Sequence, residues 1–266
     1  MTELVSDPGP NAPGSRRRAS ENKPGLYVHV PFCRTKCPYC GFYSIVDPTS
    51  QERWLTALEI EARNSAGAWS EFDTCYVGGG TPSVLYDDTL VRLSELLDRT
   101  FEISQGAERT LEVNPADVTP ARARLWRELG FDRISVGVQS FRATELRWLG
   151  RRHDPDRAAG ALNDLRAAGY SSLGLDLVQG LPGQSLNKRL ESLERALAFQ
   201  PEHLSVYELT VEPNTPLARE VATCRSELVD PDLAADAWLA TSEALSRRGY
   251  DHYEISNFAR GAEHRS

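Results

Sequence analysis

The sequence predicts an α/β fold built from parallel strand–helix units. Two observations carry that expectation. A short β-rich run, a Gly or polar loop and a helical pattern recur in that order six times, and the chemically unusual residues fall repeatedly where a strand gives way to its loop. Strands alternating with helices of this length form parallel βαβ units with right-handed crossovers. Six such units suit an open or partial barrel, although a doubly wound sheet shows the same alternation. In either architecture, ligands gather at the C-terminal ends of the strands.

The units follow one another from Leu26 onward. Leu26–Val30 is the first apolar run, and a helix begins near Gln51, where Trp54, Leu55, Leu58 and Ala62 keep helical spacing. Thr74–Val77 leads into three glycines and a helix with Leu90, Leu93, Leu97 and Phe101 on one face. Arg109–Val113 precedes a helix with Thr119 as N-cap, Pro120 in its first turn and Gly130 past its end. Arg133–Val138 is followed by a helix from Asp154-Pro155 to Gly169, and Leu173–Val178 by a helix capped at Ser185. His203–Leu209 is the sixth strand, with a looser loop and a helix from about Pro231 to Arg248 behind it.

Composition narrows the function classes. The chain of 266 residues has room for one large domain with a full core, or two small ones. A net charge of −8 argues against nucleic acid as an obligate partner, because phosphate binding needs concentrated Lys and Arg. No apolar run is long enough to span a membrane, and Arg16-Arg17-Arg18 has no apolar segment behind it to make a secretory signal. Residues 1–23 read as a disordered Pro/Ser/Asn-rich tail.

Five cysteines are unevenly placed: Cys33, Cys37 and Cys40 lie within eight residues, while Cys75 and Cys224 stand alone. Such a cluster reads as metal-binding or redox-active in a reducing cytoplasm rather than as a disulfide framework. The C-x₃-C-x₂-C loop follows the first strand directly. Three thiolates can each take one iron of a cubane, leaving the fourth open to an outside chelator. Zinc is the alternative, but a structural zinc wants four ligands. His29 lies in the strand, where alternation pairs it with Tyr27 on the face opposite Val28 and Val30. Cys75 reads as a core residue and Cys224 as a surface bystander.

Read together, YVHVPFC, GGGTPS, EVNP, SVGVQSF, LGRRH, LDLVQGLPGQ, SVYELTVEPNTP and YEISNFA occur in order between Gly25 and Ala259. This set resembles the radical S-adenosylmethionine (SAM) proteins, within the branch of the oxygen-independent coproporphyrinogen III oxidases and HemW-type heme chaperones. The resemblance implies a partial (β/α)6 TIM-like barrel over residues 24–260, with a [4Fe–4S] cluster on Cys33, Cys37 and Cys40. SAM would chelate the open iron and be cleaved to a radical by the reduced cluster. It implies SAM contacts from Tyr27, Tyr39, Gly79, Gly80, Thr81, Glu112, Gln139, Arg151, Asp176 and Thr210. Glu112 would face the ribose hydroxyls, Arg151 the SAM carboxylate and Tyr39 the adenine.

Departures from the family pattern refine the expectation. The oxidases carry a further cysteine where this chain has Phe42, which favours the chaperone branch; an oxidase or another SAM-radical catalyst remains the alternative. Gly41 stands where the branch commonly has an acidic residue, and Gln179 where it has an aromatic. The chain ends at residues 261–266, where relatives continue into an RHN-containing motif and a C-terminal helical domain. Heme as a third cofactor is therefore expected to be held poorly, with His153, His252 and His264 as the candidate ligands. The implied partners are a heme-acceptor protein and an electron donor, with no nucleic acid.

Overall fold

In six short runs, alternate residues are β-branched or leucine, and that period of two divides each strand into an apolar and a polar face. The computed structural model describes residues 23–67, 71–224 and 229–265. The expected disordered tail, apart from Lys23, lies outside the described residues. The runs form strands β1 (Gly25–Val30), β2 (Phe72–Gly79), β3 (Ile103–Val113), β4 (Arg133–Gln139), β5 (Ser172–Gln179) and β6 (His203–Glu208). All five neighbouring pairs among them are parallel, in chain order, giving a curled half-barrel. The register aligns Tyr27 with Tyr76, Glu112 with Ser135, and Asp176 with Ser205.

The helices are α1 (Gln51–Ser65), α2 (Asp87–Thr100), α3 (Pro120–Glu128), α4 (Ala143–Trp148), α5 (Pro155–Ala167), α6 (Leu186–Leu197), α7 (Pro216–Ala222) and α8 (Pro231–Arg247). Local chemistry sets several starts. Thr119 accepts from the Arg122 amide at 3.2 Å and Asp154 from the Arg157 amide at 2.7 Å, each ahead of a proline at the first turn. The apolar strand face packs on these helices. Val28, Val77, Leu111, Ile134, Leu175 and Val206 join Leu90, Trp126 and Leu162 in one buried core. Cys75 belongs to it and is 1% exposed, as its apolar strand context required.

Several elements depart from expectation. Strands β2 and β3 extend beyond Thr74–Val77 and Arg109–Val113, because Phe72 pairs with Ile103 across a register shift at their starts and β2 continues along β1 to Gly79. Phe101 is the C-cap of α2 and not a helical residue, and Ser185 caps α6 without a side-chain bond. Short helix α7 occupies the looser loop expected after the sixth strand, and α4 lies between β4 and α5. YEISNFA, read only as a motif, folds as a hairpin of β7 (Asp251–Glu254) and β8 (Asn257–Ala259), and β8 adds antiparallel to β6. No helix among the described residues is long and apolar enough to cross a membrane.

Candidate functional site

Where β1 ends, the chain is clipped into a closed loop. The Cys33 amide donates to Ile45 O at 3.0 Å, and the Ile45 amide donates to Pro31 O at 2.7 Å. Phe32, 1% exposed, anchors the base of the loop edge-on against Trp54. The far side is tied down from elsewhere: the Leu217 amide of α7 donates to Pro38 O at 3.0 Å. The three cysteines are half-buried on one cavity wall, and none of them is in a disulfide. Burial pushes the Cys40 thiol up, and the neighbouring Cys37 and Cys33 add to this against the Phe42 amide and Lys36. Among the described residues, no three His, Cys, Asp or Glu side chains close on a single ion. A cubane asks less of the loop, since each thiolate takes a separate iron corner.

The glycine loop meets this wall from β2. A Cβ on Gly80 would lie 2.8 Å from Phe32 O and 2.9 Å from Val30 O, so backbone runs against backbone there. Cys33 Sγ lies 3.4 Å from Thr81 Oγ1. On β3, Glu112 accepts from the Tyr76 hydroxyl at 2.7 Å and from the Gly79 amide at 3.0 Å. Gln139 ends β4 with φ 68°, a left-handed conformation uncommon without glycine and typical of constrained sites. Arg151 donates to Gly137 O at 2.6 Å and approaches Cys37 Sγ at 3.7 Å, while its buried Nε has no partner.

Two carboxyls in this mouth hold their protons unusually tightly. Burial raises Glu112 from the ordinary 4.5 to about 7, with the Tyr76 and Gly79 bonds pulling the other way and Asp176 adding to the rise. Burial raises Asp176 to about 6, opposed by bonds from Ser205 and Ser135. Titratable groups shifted by burial inside a cleft are a recurrent mark of functional sites.

Of the expected residues, Cys33, Cys37, Tyr39, Cys40, Gly79, Gly80, Thr81, Glu112, Gln139, Arg151, Asp176 and Thr210 all line one cavity of about 370 Å³. Tyr27 does not. It is 56% exposed, and its ring stacks on that of Tyr76, which does not line the cavity either. Residues not anticipated also line it: Ser135, Tyr207, Glu208 and Glu212. Alternation along β4 and β6 puts Ser135 in phase with Gly137, and Tyr207 in phase with Ser205, so a period-of-two reading could have found both. Glu212 answers the missing acid at Gly41, since a Cβ there would lie 2.8 Å from its Cγ. The expected loop histidine, His153, is 5% exposed and bonded to Val138 O, which removes it from the candidate heme ligands.

Comparison with known proteins agrees with this geometry. Residues 27–196 match the family model of the radical SAM superfamily. The chain is 37% identical over 242 residues to the heme chaperone HemW of Mycobacterium tuberculosis (strain CDC 1551 / Oshkosh), covering 89% of this chain and 62% of that protein. It is 36% identical over 241 residues to the heme chaperone HemW of Escherichia coli (strain K12), covering 88% and 62%. The chain thus spans somewhat under two thirds of the length of these relatives. Among solved structures, coproporphyrinogen III oxidase (HemN) from Escherichia coli superposes with a TM-score of 0.80 at 31% identity, over 90% of this chain and 56% of that one.

Proposed function

The chain belongs to the radical SAM superfamily, and from that premise we propose that it holds a [4Fe–4S] cluster and SAM and takes part in delivering heme to an acceptor protein. The observation that carries the reading is one cavity lined by three half-buried thiols, a guanidinium with a free buried nitrogen and a carboxylate held by two donors. These features fit the two groups. Cys33, Cys37 and Cys40 would hold three irons, and the Arg151 guanidinium, which lines the cavity, has the charge to meet the SAM carboxylate. Glu112 would accept from the ribose hydroxyls, Gly79, Gly80 and Thr81 leave backbone-close space, and Tyr39 offers a flat face for adenine. Gln139, Asp176 and Thr210 would complete the wall, with Tyr27 acting from behind Tyr76. When bound, cluster and SAM supply one-electron chemistry; the chain's own work is to seat them and limit water.

Heme delivery is supported by the HemW relatives and by Phe42 at the position of the oxidases' extra cysteine. All cysteines found among the described residues are free, which suits a reducing cytoplasm and an electron donor there. A second reading, oxidation of coproporphyrinogen III, is favoured by the likeness to HemN. Anaerobic reconstitution with iron and sulfide separates the two on one sample. Heme titration should give a weak Soret band with no sharp one-to-one transition, as expected of a chain that holds heme poorly. That heme should pass to a heme-depleted acceptor, and coproporphyrinogen III should yield no decarboxylated product. Product formation without heme uptake would replace the chaperone reading with the oxidase one.

A further inference from the structure

We propose that the Tyr76 hydroxyl is a positioning group, holding the Glu112 carboxylate so that each of its oxygens keeps an acceptor direction free toward the strand ends. The inference rests on reading that mouth as a SAM site. Tyr76 Oη donates to Glu112 Oε1 at 2.7 Å, and the Gly79 amide donates to Oε2 at 3.0 Å. An ionised carboxylate has about four acceptor directions. With one direction on each oxygen taken, one on each is left. Two adjacent free acceptors match the two neighbouring hydroxyls of a ribose.

Tyr76 is itself held for this task. Its ring stacks on Tyr27 at 6.1 Å between centroids and 27° between planes. It also lies over Gly78, where a Cβ would come within 2.7 Å of the Tyr76 ring and 2.9 Å of the Glu112 carboxyl carbon. Any other residue at position 78 would separate phenol from carboxylate. Burial, and then the Glu112 charge, raise the Tyr76 hydroxyl far above the usual phenol range, so its proton stays available to donate. Around the pair stand Tyr27 from β1, Arg133 from β4, Asp176 from β5 and Tyr207 from β6. Asp176 works against ionisation of Glu112, whereas the Tyr76 hydroxyl and the Gly79 amide favour it.

The test is Tyr76→Phe in the full chain, reconstituted anaerobically, which keeps the ring and its stacking. The carboxyl ¹³C resonance of Glu112, assigned through Glu112→Gln, is titrated without SAM. Its midpoint should rise by about one pH unit, the size expected when a charge-assisted bond is lost. SAM affinity by equilibrium dialysis should fall roughly fivefold near neutral pH and recover at higher pH as Glu112 ionises. In the Glu112→Gln background, Tyr76→Phe should add little, since the two side chains act as one unit. An unmoved Glu112 midpoint overturns the proposal, as does an equal loss of SAM affinity at every pH, which would mark Tyr76 as packing only. A native chain that binds no SAM at any pH would instead sink the SAM reading, and the carboxyl titration would still decide the Tyr76–Glu112 link.

Discussion

Single atoms decide much of the mouth. At Gly80 the space for a Cβ is closed by two carbonyl oxygens and an amide of the first strand and its loop, none of which can rotate away. Gly80→Ala should therefore destabilise the chain by about 1–3 kcal/mol, the usual cost of overpacking, read from urea melts. It should also weaken SAM binding, because the displaced segment carries Phe32 and Cys33. The cysteines divide just as sharply. Replacing Cys33, Cys37 or Cys40 by Ala should abolish the broad visible absorbance of the reconstituted protein, whereas Cys75→Ala should keep it, since Cys75 lies in the core with the helices. A cluster that depended equally on Cys75 would overturn the three-thiol assignment. Residue identity in these motifs was legible in the sequence. That Tyr76 would reach Glu112 was not, because their separation of 36 in sequence is closed only by the β2–β3 register.

At the scale of elements, the cluster loop depends on anchors contributed by distant parts of the chain. Asp117, in the turn after β3, accepts from Ser83 at 2.9 Å and Arg152 at 2.7 Å, and lies 3.6 Å from Arg34 inside the cysteine loop. Its side chain is 4% exposed, so the charge is compensated by those partners and not by water. Asp117→Ala should cost about 3 kcal/mol in melts, the lower end for a broken buried pair because Arg152 and Arg34 still reach solvent. Arg34→Ala should cost under about 1 kcal/mol, as exposed pairs do. If the two variants matched, the loop would not be anchored through Asp117. The β7–β8 hairpin shows the limit of local patterns. Its strands of four and three residues are too short to carry a period, and only pairing, of β8 with β6 and of β7 with β8, makes them strands.

Over the whole molecule, the concave face collects ionisable groups whose folded-state affinities for protons differ from those of the open chain. Glu112 rises from 4.5 to about 7, so the folded chain keeps a proton that the unfolded chain releases, and stability from this group falls as pH climbs through that window. His153 and His203 act in the opposite sense. Burial lowers them from 6.5 to about 4 and about 3, so their stabilisation is present above pH 6.5 and is lost as pH falls toward those values. Glu112→Gln isolates the first effect. In the cofactor-free protein, the variant should gain on the native chain by roughly 2–3 kcal/mol between pH 5 and pH 8, measured by urea melts. A gap that stayed constant with pH would mean Glu112 is already ionised at pH 5.

By itself, the sequence determined the number and order of the parallel units and the cysteine loop after the first strand, and the family resemblance its motifs carry marked twelve residues that line one mouth. Those features are local: a period of two, a cap before a proline, a cysteine spacing, a motif at a strand end. Tertiary structure alone decided the rest. It placed Tyr27 outside the cavity, brought Glu208 and Glu212 into it, and filled the space at Gly41 with a carboxylate from beyond β6. It also left Arg151 Nε without a partner and turned Gln139 to a positive φ. The physical reason is that strand curvature and register set distances between residues far apart in the chain. A side chain's partner, its burial and hence its proton affinity exist only once those distances are fixed.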